Sequence, residues 1–148
     1  MSITHRLAVA AASACLSLAG SIALADEHPY AEGPVLDVAR IRTVEGKFED
    51  YMKFVSTTWK QGQELAKKAG YVISYEVLLV APRGPDDPDI LLVTRYKNWA
   101  ALDGWIAKQD EVSRQTEGSA AAAEKSATDR NSIRRVLGDT VMQELKLK

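Results

Sequence analysis

The chain has 148 residues, with 19 Lys+Arg, 20 Asp+Glu and a formal net charge of -1. This is the size of one domain, and it excludes a large multidomain enzyme. The near-neutral charge gives no electrostatic reason to expect nucleic acid as a partner. A single Cys and two His exclude an intramolecular disulfide and a three-His zinc site.

Residues 1–25 have the three parts of a secretory signal peptide. Arg6 and the amino terminus are positive, an apolar stretch covers residues 7–19, and Ala23, Leu24 and Ala25 form a small-x-small cleavage site. A retained membrane anchor is the alternative, but its serines and glycine leave the segment only mildly hydrophobic. We therefore expect a periplasmic or secreted protein with no stable membrane insertion after cleavage.

Cleavage after Ala25 changes which chemistry the chain can perform. Residues 26–148 contain no Cys and a single His, His28. Thiol chemistry is thereby excluded, and His-based metal or acid–base chemistry would depend on His28 alone. Residues 26–34 are polar, with two Pro and one Gly, and we expect a flexible leader there.

Hydrophobic patterns divide residues 35–148 into alternating strands and helices. Residues 35–44 are rich in β-branched side chains and predict a first strand. An apolar stripe at three- and four-residue steps predicts a helix over residues 48–69, with Gly70 at its C′ position. Gly62 inside that helix indicates a close helix–sheet contact or a kink.

The rest of the chain also alternates between predicted strands and helices. Strands are expected at residues 71–81 and 90–97, joined by a proline- and aspartate-rich hairpin. Asn98 is a good N-cap for a second helix, in which Trp99, Leu102 and Ile106 would share a face. Residues 110–129 are polar and Ala-rich and predict an exposed helix or a loose excursion, since no apolar stripe holds them to a core. A short helical turn over residues 133–137 and a strand over 140–147 complete the chain.

The order β-α-β-β-α-β predicts an α+β, ferredoxin-like fold with a four-stranded antiparallel sheet. Its two helices would cover one face of the sheet. The second and third strands are apolar on both faces, whereas a sheet with one wet face alternates apolar with polar residues. We therefore expect a second copy of the chain to cover the other face and form a homodimer.

This pattern resembles the dimeric α/β-barrel superfamily, and within it the NIPSNAP-like and antibiotic-biosynthesis-monooxygenase-like proteins. The similar segments are ARIRTVEGKFEDYMKFV (residues 39–55), AGYVISYEVLL (69–79), LLVTRYKNWAAL (91–102) and LGDTVMQELKLK (137–148). The resemblance implies a dimeric barrel over residues 35–148. Superfamily members range from cofactor-independent monooxygenases to haem-degrading enzymes, so the fold alone does not imply an activity.

Charged side chains on the barrel-facing side of the strands are the candidate ligand-binding residues. They are Arg40, Arg42, Glu76, Arg95 and Glu144. The functional hypothesis is a pocket with guanidinium groups for an anionic or carbonyl-bearing ligand. The alternative is cross-strand ion pairing, Arg95 with Glu76 and Arg40 or Arg42 with Glu144, or charges that lie at strand ends in water.

Other candidates are weaker. Asn98 and Trp99 match the residue types that the resemblance associates with cofactor-independent oxygenation, but an N-cap followed by a packed aromatic is the simpler explanation of both. Asp86, Asp87 and Asp89 are ordinary turn formers, and we expect no metal site and no cofactor. The leading hypothesis is an exported homodimer that binds a small, partly apolar molecule in its barrel. The alternatives are a cofactor-independent monooxygenase and a purely structural or partner-docking dimer.

Overall fold

The computed structural model describes residues 28–148, and the predicted signal peptide lies outside these residues. The elements follow in chain order: strand β1 (Tyr30–Thr43), helix α1 (Phe48–Phe54), one turn of π-helix (Val55–Trp59), helix α2 (Lys60–Lys68), strands β2 (Ser74–Leu79) and β3 (Ile90–Tyr96), a 3-10 turn (Trp99–Leu102), helices α3 (Trp105–Glu117) and α4 (Ala120–Asp129), a second 3-10 turn (Arg130–Ser132) and strand β4 (Arg134–Leu147).

The four strands form one antiparallel sheet in the order β2-β3-β1-β4. The third strand lies between the first two and β4 flanks β1, as the predicted ferredoxin-like fold requires. Helices α1, α2 and α3 cover one face of the sheet, which we call the helix face. The opposite face, which we call the open face, is covered by no element of residues 28–148. The α+β fold class is therefore confirmed.

Two strands are longer than the sequence pattern predicts. β1 starts at Tyr30, where it pairs with Leu147, so residues 30–34 of the expected flexible leader belong to the sheet. The expected helical turn over residues 133–137 is wrong, because β4 starts at Arg134. A shift in register between Arg40 and Ile41 leaves Leu137 as an extra residue in β4. Such a bulge breaks the period of two from which a strand is recognised.

The first helical segment largely follows the prediction. Its main departure is the π-helical turn over Val55–Trp59, which joins α1 to α2. The segment ends at Lys68 and Gly70 adopts a φ of +78°, as expected of a C′ glycine. Tyr51 and Val55 are the buried residues of the segment, and they pack with Ile41, Ile90 and Leu92 of the sheet.

The second helical segment departs further from the prediction. Asn98 caps only a 3-10 turn, and α3 begins at Trp105 after Gly104, whose φ is +67°. Trp99 and Ile106 are 49% and 78% exposed, so the expected shared apolar face is wrong. Residues 110–129 are ordered as the rest of α3 and as α4. None of the helices within residues 28–148 combines the length and the apolar character that crossing a membrane requires.

Candidate functional site

The structure places all five predicted ligand-binding residues on the open face. Strand register alternates them with helix-face residues such as Ile41, and they share the open face with Leu36, Val38 and Met142. Arg95 and Glu144 also line a shallow depression there, together with Leu36, Met142 and Gln143. The open face therefore combines apolar side chains with charged ones.

The predicted ion pairs form only in part. Arg95 Nε lies 3.3 Å from Glu76 Oε1, which confirms one pair. Arg40 instead pairs in register with Gly138, six residues from Glu144 and about 20 Å along the strand. Pairing of Arg40 or Arg42 with Glu144 is therefore wrong. Arg42 donates a hydrogen bond of 3.3 Å to the carbonyl of Asp87.

The two weak catalytic candidates have structural roles. Asn98 Oδ1 accepts a 3.2 Å hydrogen bond from the backbone N–H of Ala101 and so caps the 3-10 turn. Trp99 Nε1 donates a 2.9 Å hydrogen bond to Gln143 Oε1. Neither residue lines the open-face depression or the helix–sheet cavity described below, and Arg40 lies on the opposite face of the sheet from the helices.

A cavity of about 240 Å³ lies instead between α2, α3 and the helix face of the sheet. We call it the helix–sheet cavity. Its floor is formed by Val72 and Tyr96, which are 5% and 1% exposed. An apolar protein cavity of about 150 Å³ holds a benzene molecule. The helix–sheet cavity is therefore large enough for one aromatic ring and a few substituent atoms.

One wall of the cavity is the first helical segment, including part of its π-helical turn. The lining residues of this wall are Phe54, Thr58, Trp59, Gly62, Gln63 and Ala66. Thr57 and Ser56 donate side-chain hydrogen bonds to the carbonyl of Lys53, in the turn where the regular helical bonding is interrupted. Single π-helical turns occur frequently at functional sites.

The opposite wall is α3, whose inward face is mostly polar. It contributes Trp105, Lys108, Gln109, Val112, Ser113, Thr116 and Glu117. No residue of α3 is buried. A helix that packs on a core presents an apolar stripe, and Gln109, Ser113 and Thr116 interrupt it here. α3 therefore roofs the cavity and does not fill the space beneath it.

α3 approaches the first wall closely at Gly62. A methyl group built on Gly62 would lie 3.3 Å from Val112 Cγ1 and 3.9 Å from Thr116 Cγ2. The glycine thus permits a near approach of the two helices, whereas its position in the sequence indicated a close approach to the sheet or a kink. At the far end, the rings of Trp105 and Tyr96 meet edge to face with centroids 5.6 Å apart.

Two cationic side chains stand at the ends of α3. Arg130 Nη1 lies 3.6 Å from Glu117 Oε2, and these side chains are only 17% and 16% exposed. The Arg130 guanidinium also lies 4.0 Å from the ring centre of Phe54. Burial lowers the pKa of Arg130. At the other end, Lys108 Nζ donates a 2.8 Å hydrogen bond to the carbonyl of Ala101 and lies over the ring of Tyr71.

Gln63 and Arg130 both line the cavity, and each has one buried polar atom without a hydrogen-bond partner. These atoms are Gln63 Oε1, an acceptor, and Arg130 Nε, a donor. Both atoms are fully covered by neighbouring protein atoms, so neither is exposed to the interior of the cavity. Residues 28–148 contain no group of three or more His, Cys, Asp and Glu side chains arranged to hold a metal ion.

Comparisons with known proteins bear on the fold. No protein-family model matches the sequence, and no curated protein matches it. The crystal structure of HapK from Hahella chejuensis is similar to this chain, with a TM-score of 0.50 and 11% identity over 74% of this chain and 91% of that one. Protein SO0527 from Shewanella oneidensis matches with a TM-score of 0.43 and 18% identity, over 79% and 94% of the two chains. The similarity to HapK supports the ferredoxin-like fold and carries no activity to this chain.

The residues that line the helix–sheet cavity are not among the site residues predicted from the sequence. Gln109, Ser113 and Thr116 recur at helical spacing on the face of α3 that also carries Trp105 and Val112. This polar stripe within a helix could have indicated a cavity. On its own, the stripe indicates only the absence of a packed face, because periodicity does not show what lies beneath a helix.

Proposed function

We propose that this protein binds a small, partly apolar molecule in the helix–sheet cavity. The observation that carries the proposal is the polar inward face of α3, which leaves a cavity of about 240 Å³ above a buried aromatic floor. Ligand pockets typically combine apolar and aromatic walls with a few placed polar groups. Trp59, Tyr96 and Trp105 supply the aromatic surface, and Gln63 and Arg130 supply polar atoms.

The test compares two Phe substitutions on α3. Ser113 lines the cavity, whereas Ala107 is exposed on the outward side. We expect native mass spectrometry of the protein purified from its own source to show a bound small molecule that Ser113→Phe removes and Ala107→Phe retains. A wild-type protein without a bound molecule, or a Ser113→Phe variant that keeps it, would contradict the proposal.

The binding function is favoured over oxygenation without a cofactor. An oxygenase built from Arg40, Arg95, Asn98 and Trp99 would need these groups around one substrate, and Asn98 and Trp99 are engaged in structural hydrogen bonds. Oxygen consumption with a panel of quinols and phenols tests this alternative directly. The resemblance to NIPSNAP-like proteins does not decide between ligand binding and oxygenation, because it rests on segments that determine the fold.

A homodimer through the open face is the second part of the proposal. Leu78 and Met142 are 44% and 43% exposed there, beside the half-buried Leu36, Val38 and Leu91. Two such faces packed together would remove this apolar surface from water and enclose the depression at Arg95 and Glu144. The space enclosed between the two sheets would be the barrel interior in which the sequence pattern predicts a ligand. If side chains fill that space instead, the purely structural dimer is favoured.

Light scattering of residues 26–148 tests the dimer. We expect the mass of two chains for the wild type at micromolar concentration, and the mass of one chain after Leu78→Lys. Leu147→Lys is the control, because Leu147 is 85% exposed and lies on the helix-face side of β4. A wild-type protein with the mass of one chain would exclude the dimer.

Export is the third part of the proposal, and it rests on the sequence of residues 1–25. Cleavage after Ala25 would leave Asp26 as the first residue. N-terminal sequencing of protein from the periplasmic fraction is expected to start at Asp26. An intact Met1 in that fraction would indicate a retained segment instead.

A further inference from the structure

We propose that the two copies of the homodimer pack with their strands reversed end to end, so that Arg40 of each copy pairs with the partner's Glu144. This inference rests on the proposed function, because it specifies how the open faces of the proposed dimer meet. It follows from three features of the open face: two charged side chains without partners, the apolar surface between them, and the arginines at one end of the sheet.

Two charged side chains of the open face have no partner within the chain. Arg40 and Glu144 are both exposed, and neither makes a hydrogen bond or an ion pair with any residue of 28–148. Arg95, on the same face, pairs with Glu76. A charge on a face that becomes covered needs an opposite charge nearby, because loss of water would otherwise destabilise it.

The apolar centre of the open face lies between these two charges. Arg40 pairs in register with Gly138, and Glu144 lies six residues further along β4, about 20 Å away. Leu36 and Met142 pair with each other between the two positions. A twofold axis through this centre, perpendicular to the strands and in the plane of the interface, places apolar surface on apolar surface. The same axis places each end of one sheet over the opposite end of its partner, which gives two identical pairs of Arg40 with the partner's Glu144.

The spacing of packed sheets suits this pair. Sheets that pack face to face lie roughly 10 Å apart, and neighbouring strands lie roughly 5 Å apart. Arg40 is in β1 and Glu144 is in the neighbouring strand β4. The Cα atoms of Arg40 and the partner's Glu144 would therefore lie about 11 Å apart, a distance that extended arginine and glutamate side chains span together.

The arginines at one end of the sheet disfavour the other orientation. Arg42 follows Arg40 on the open face and pairs in register with Arg135, so three guanidinium groups lie at this end. Asp86 pairs with one of them, Arg135. A twofold axis parallel to the strands would place this end against the same end of the partner. Like charges that meet across an interface weaken association, so the reversed orientation is favoured.

The opposite end of the open face carries the acidic partner. Glu144 lines the shallow depression there together with Arg95. Lys97 follows the end of β3, and Lys146 lies two residues beyond Glu144, so both stand at the rim, where water and salt screen their charges. The partner's Arg40 supplies the opposite charge for Glu144, and the depression is therefore complete only in the dimer.

Charge reversal tests the pair. Arg40→Glu and Glu144→Arg each place like charges together at two symmetric positions, so each is expected to raise the dissociation constant of the dimer on the order of a hundredfold. The double variant Arg40→Glu/Glu144→Arg exchanges the two charges and is expected to dimerise within about threefold of the wild type. Sedimentation equilibrium of the purified protein measures the four dissociation constants.

Lys60→Glu is the control for net charge. It makes the same change of charge as Arg40→Glu, but Lys60 is exposed on α2, which covers the helix face. We expect its dimer to dissociate as the wild type does. Because Arg40 and Glu144 are exposed and without partners in the single chain, both single variants are expected to keep the far-UV circular dichroism of the wild type.

The outcomes separate this inference from the dimer on which it rests. If the wild type dimerises and the single reversals leave its dissociation constant unchanged, the inference is wrong and the dimer stands. The same conclusion follows if both single reversals weaken the dimer and the double variant does not recover. If the wild type has the mass of one chain at micromolar concentration, the proposed dimer itself fails.

Discussion

The two helical segments that cover the helix face do so in different ways. The first segment, α1 to α2, buries Tyr51 to 1% and Val55 to 3% exposure against Ile41, Ile90 and Leu92. The second, α3, has no buried residue and presents polar side chains toward the sheet. The first segment forms the core and α3 covers a cavity. The first segment therefore contributes most to stability, and α3 contributes to the proposed binding.

This difference has an energetic origin. Burial of a large apolar side chain stabilises a fold by about 1.5–3 kcal/mol, which the first segment gains at Tyr51 and Val55. α3 is held mainly by the edge-to-face contact of Trp105, the hydrogen bond of Lys108 and the Arg130–Glu117 pair. Its exposed Arg114–Glu111 pair adds little to stability, because water screens both charges. We therefore expect α3 to detach from the sheet at a lower free-energy cost than α1.

Removal of one aromatic residue from each segment gives the largest expected effect. Tyr51→Ala should destabilise the protein by about 3–5 kcal/mol, because it leaves a cavity in the core. Trp105→Ala should cost about 1–2 kcal/mol, because Trp105 is only partly buried, yet it should weaken binding in the helix–sheet cavity. Urea unfolding measures both changes. Equal costs for the two substitutions would remove the distinction between the segments.

The contact at Gly62 tests whether α3 can move. Gly62→Ala gains about 1 kcal/mol of helix propensity, but its methyl group would lie 3.3 Å from Val112 Cγ1. If α3 shifts by a few tenths of an ångström to accommodate this methyl group, Gly62→Ala stabilises the protein equally in the wild-type and in the Val112→Ala background. We expect a coupling below about 0.5 kcal/mol in this double-mutant cycle. A Gly62→Ala variant that is unstable unless Val112 is also truncated would show that α3 is rigid.

Local patterns were sufficient to predict the first segment and the centre of the sheet. The apolar stripe, the C′ glycine at Gly70 and the Arg95–Glu76 pair each follow from a few neighbouring residues or from strand order. Asn98 was likewise recognisable as a cap, although it caps a 3-10 turn.

The remaining features depend on distant parts of the chain. Tyr30 belongs to a strand because it pairs with Leu147. Arg134 belongs to a strand because it pairs with Thr43. The helix–sheet cavity joins Phe54 on one wall to Arg130 beyond α4, and no local pattern reports such a juxtaposition. The polar stripe of α3 did not indicate a cavity for the same reason, since a side chain facing a cavity and one facing solvent have similar sequence signatures.

The smallest expected effect comes from a charge on the same helix face. Burial, together with the nearby Asp139, raises the pKa of Asp37, and Asp37 Oδ1 is buried without a partner. The folded protein therefore binds this proton more tightly than the unfolded chain does. Stability is then lost as the pH rises from the ordinary aspartate value, about 4, through the raised pKa, and the ionised carboxylate destabilises the folded state at pH 7.

Asp37→Asn removes that charge and keeps the shape of the side chain. We expect the variant to melt on the order of 1–3 °C higher than the wild type at pH 7, and at nearly the same temperature at pH 3.5, where the wild-type carboxyl is protonated. Asp139→Asn is the matched control and should give a smaller gain, because it removes the repulsion but leaves the burial of Asp37 unchanged. A gain that is equal at both pH values would show that packing, and not the charge, separates Asp37 from its asparagine variant.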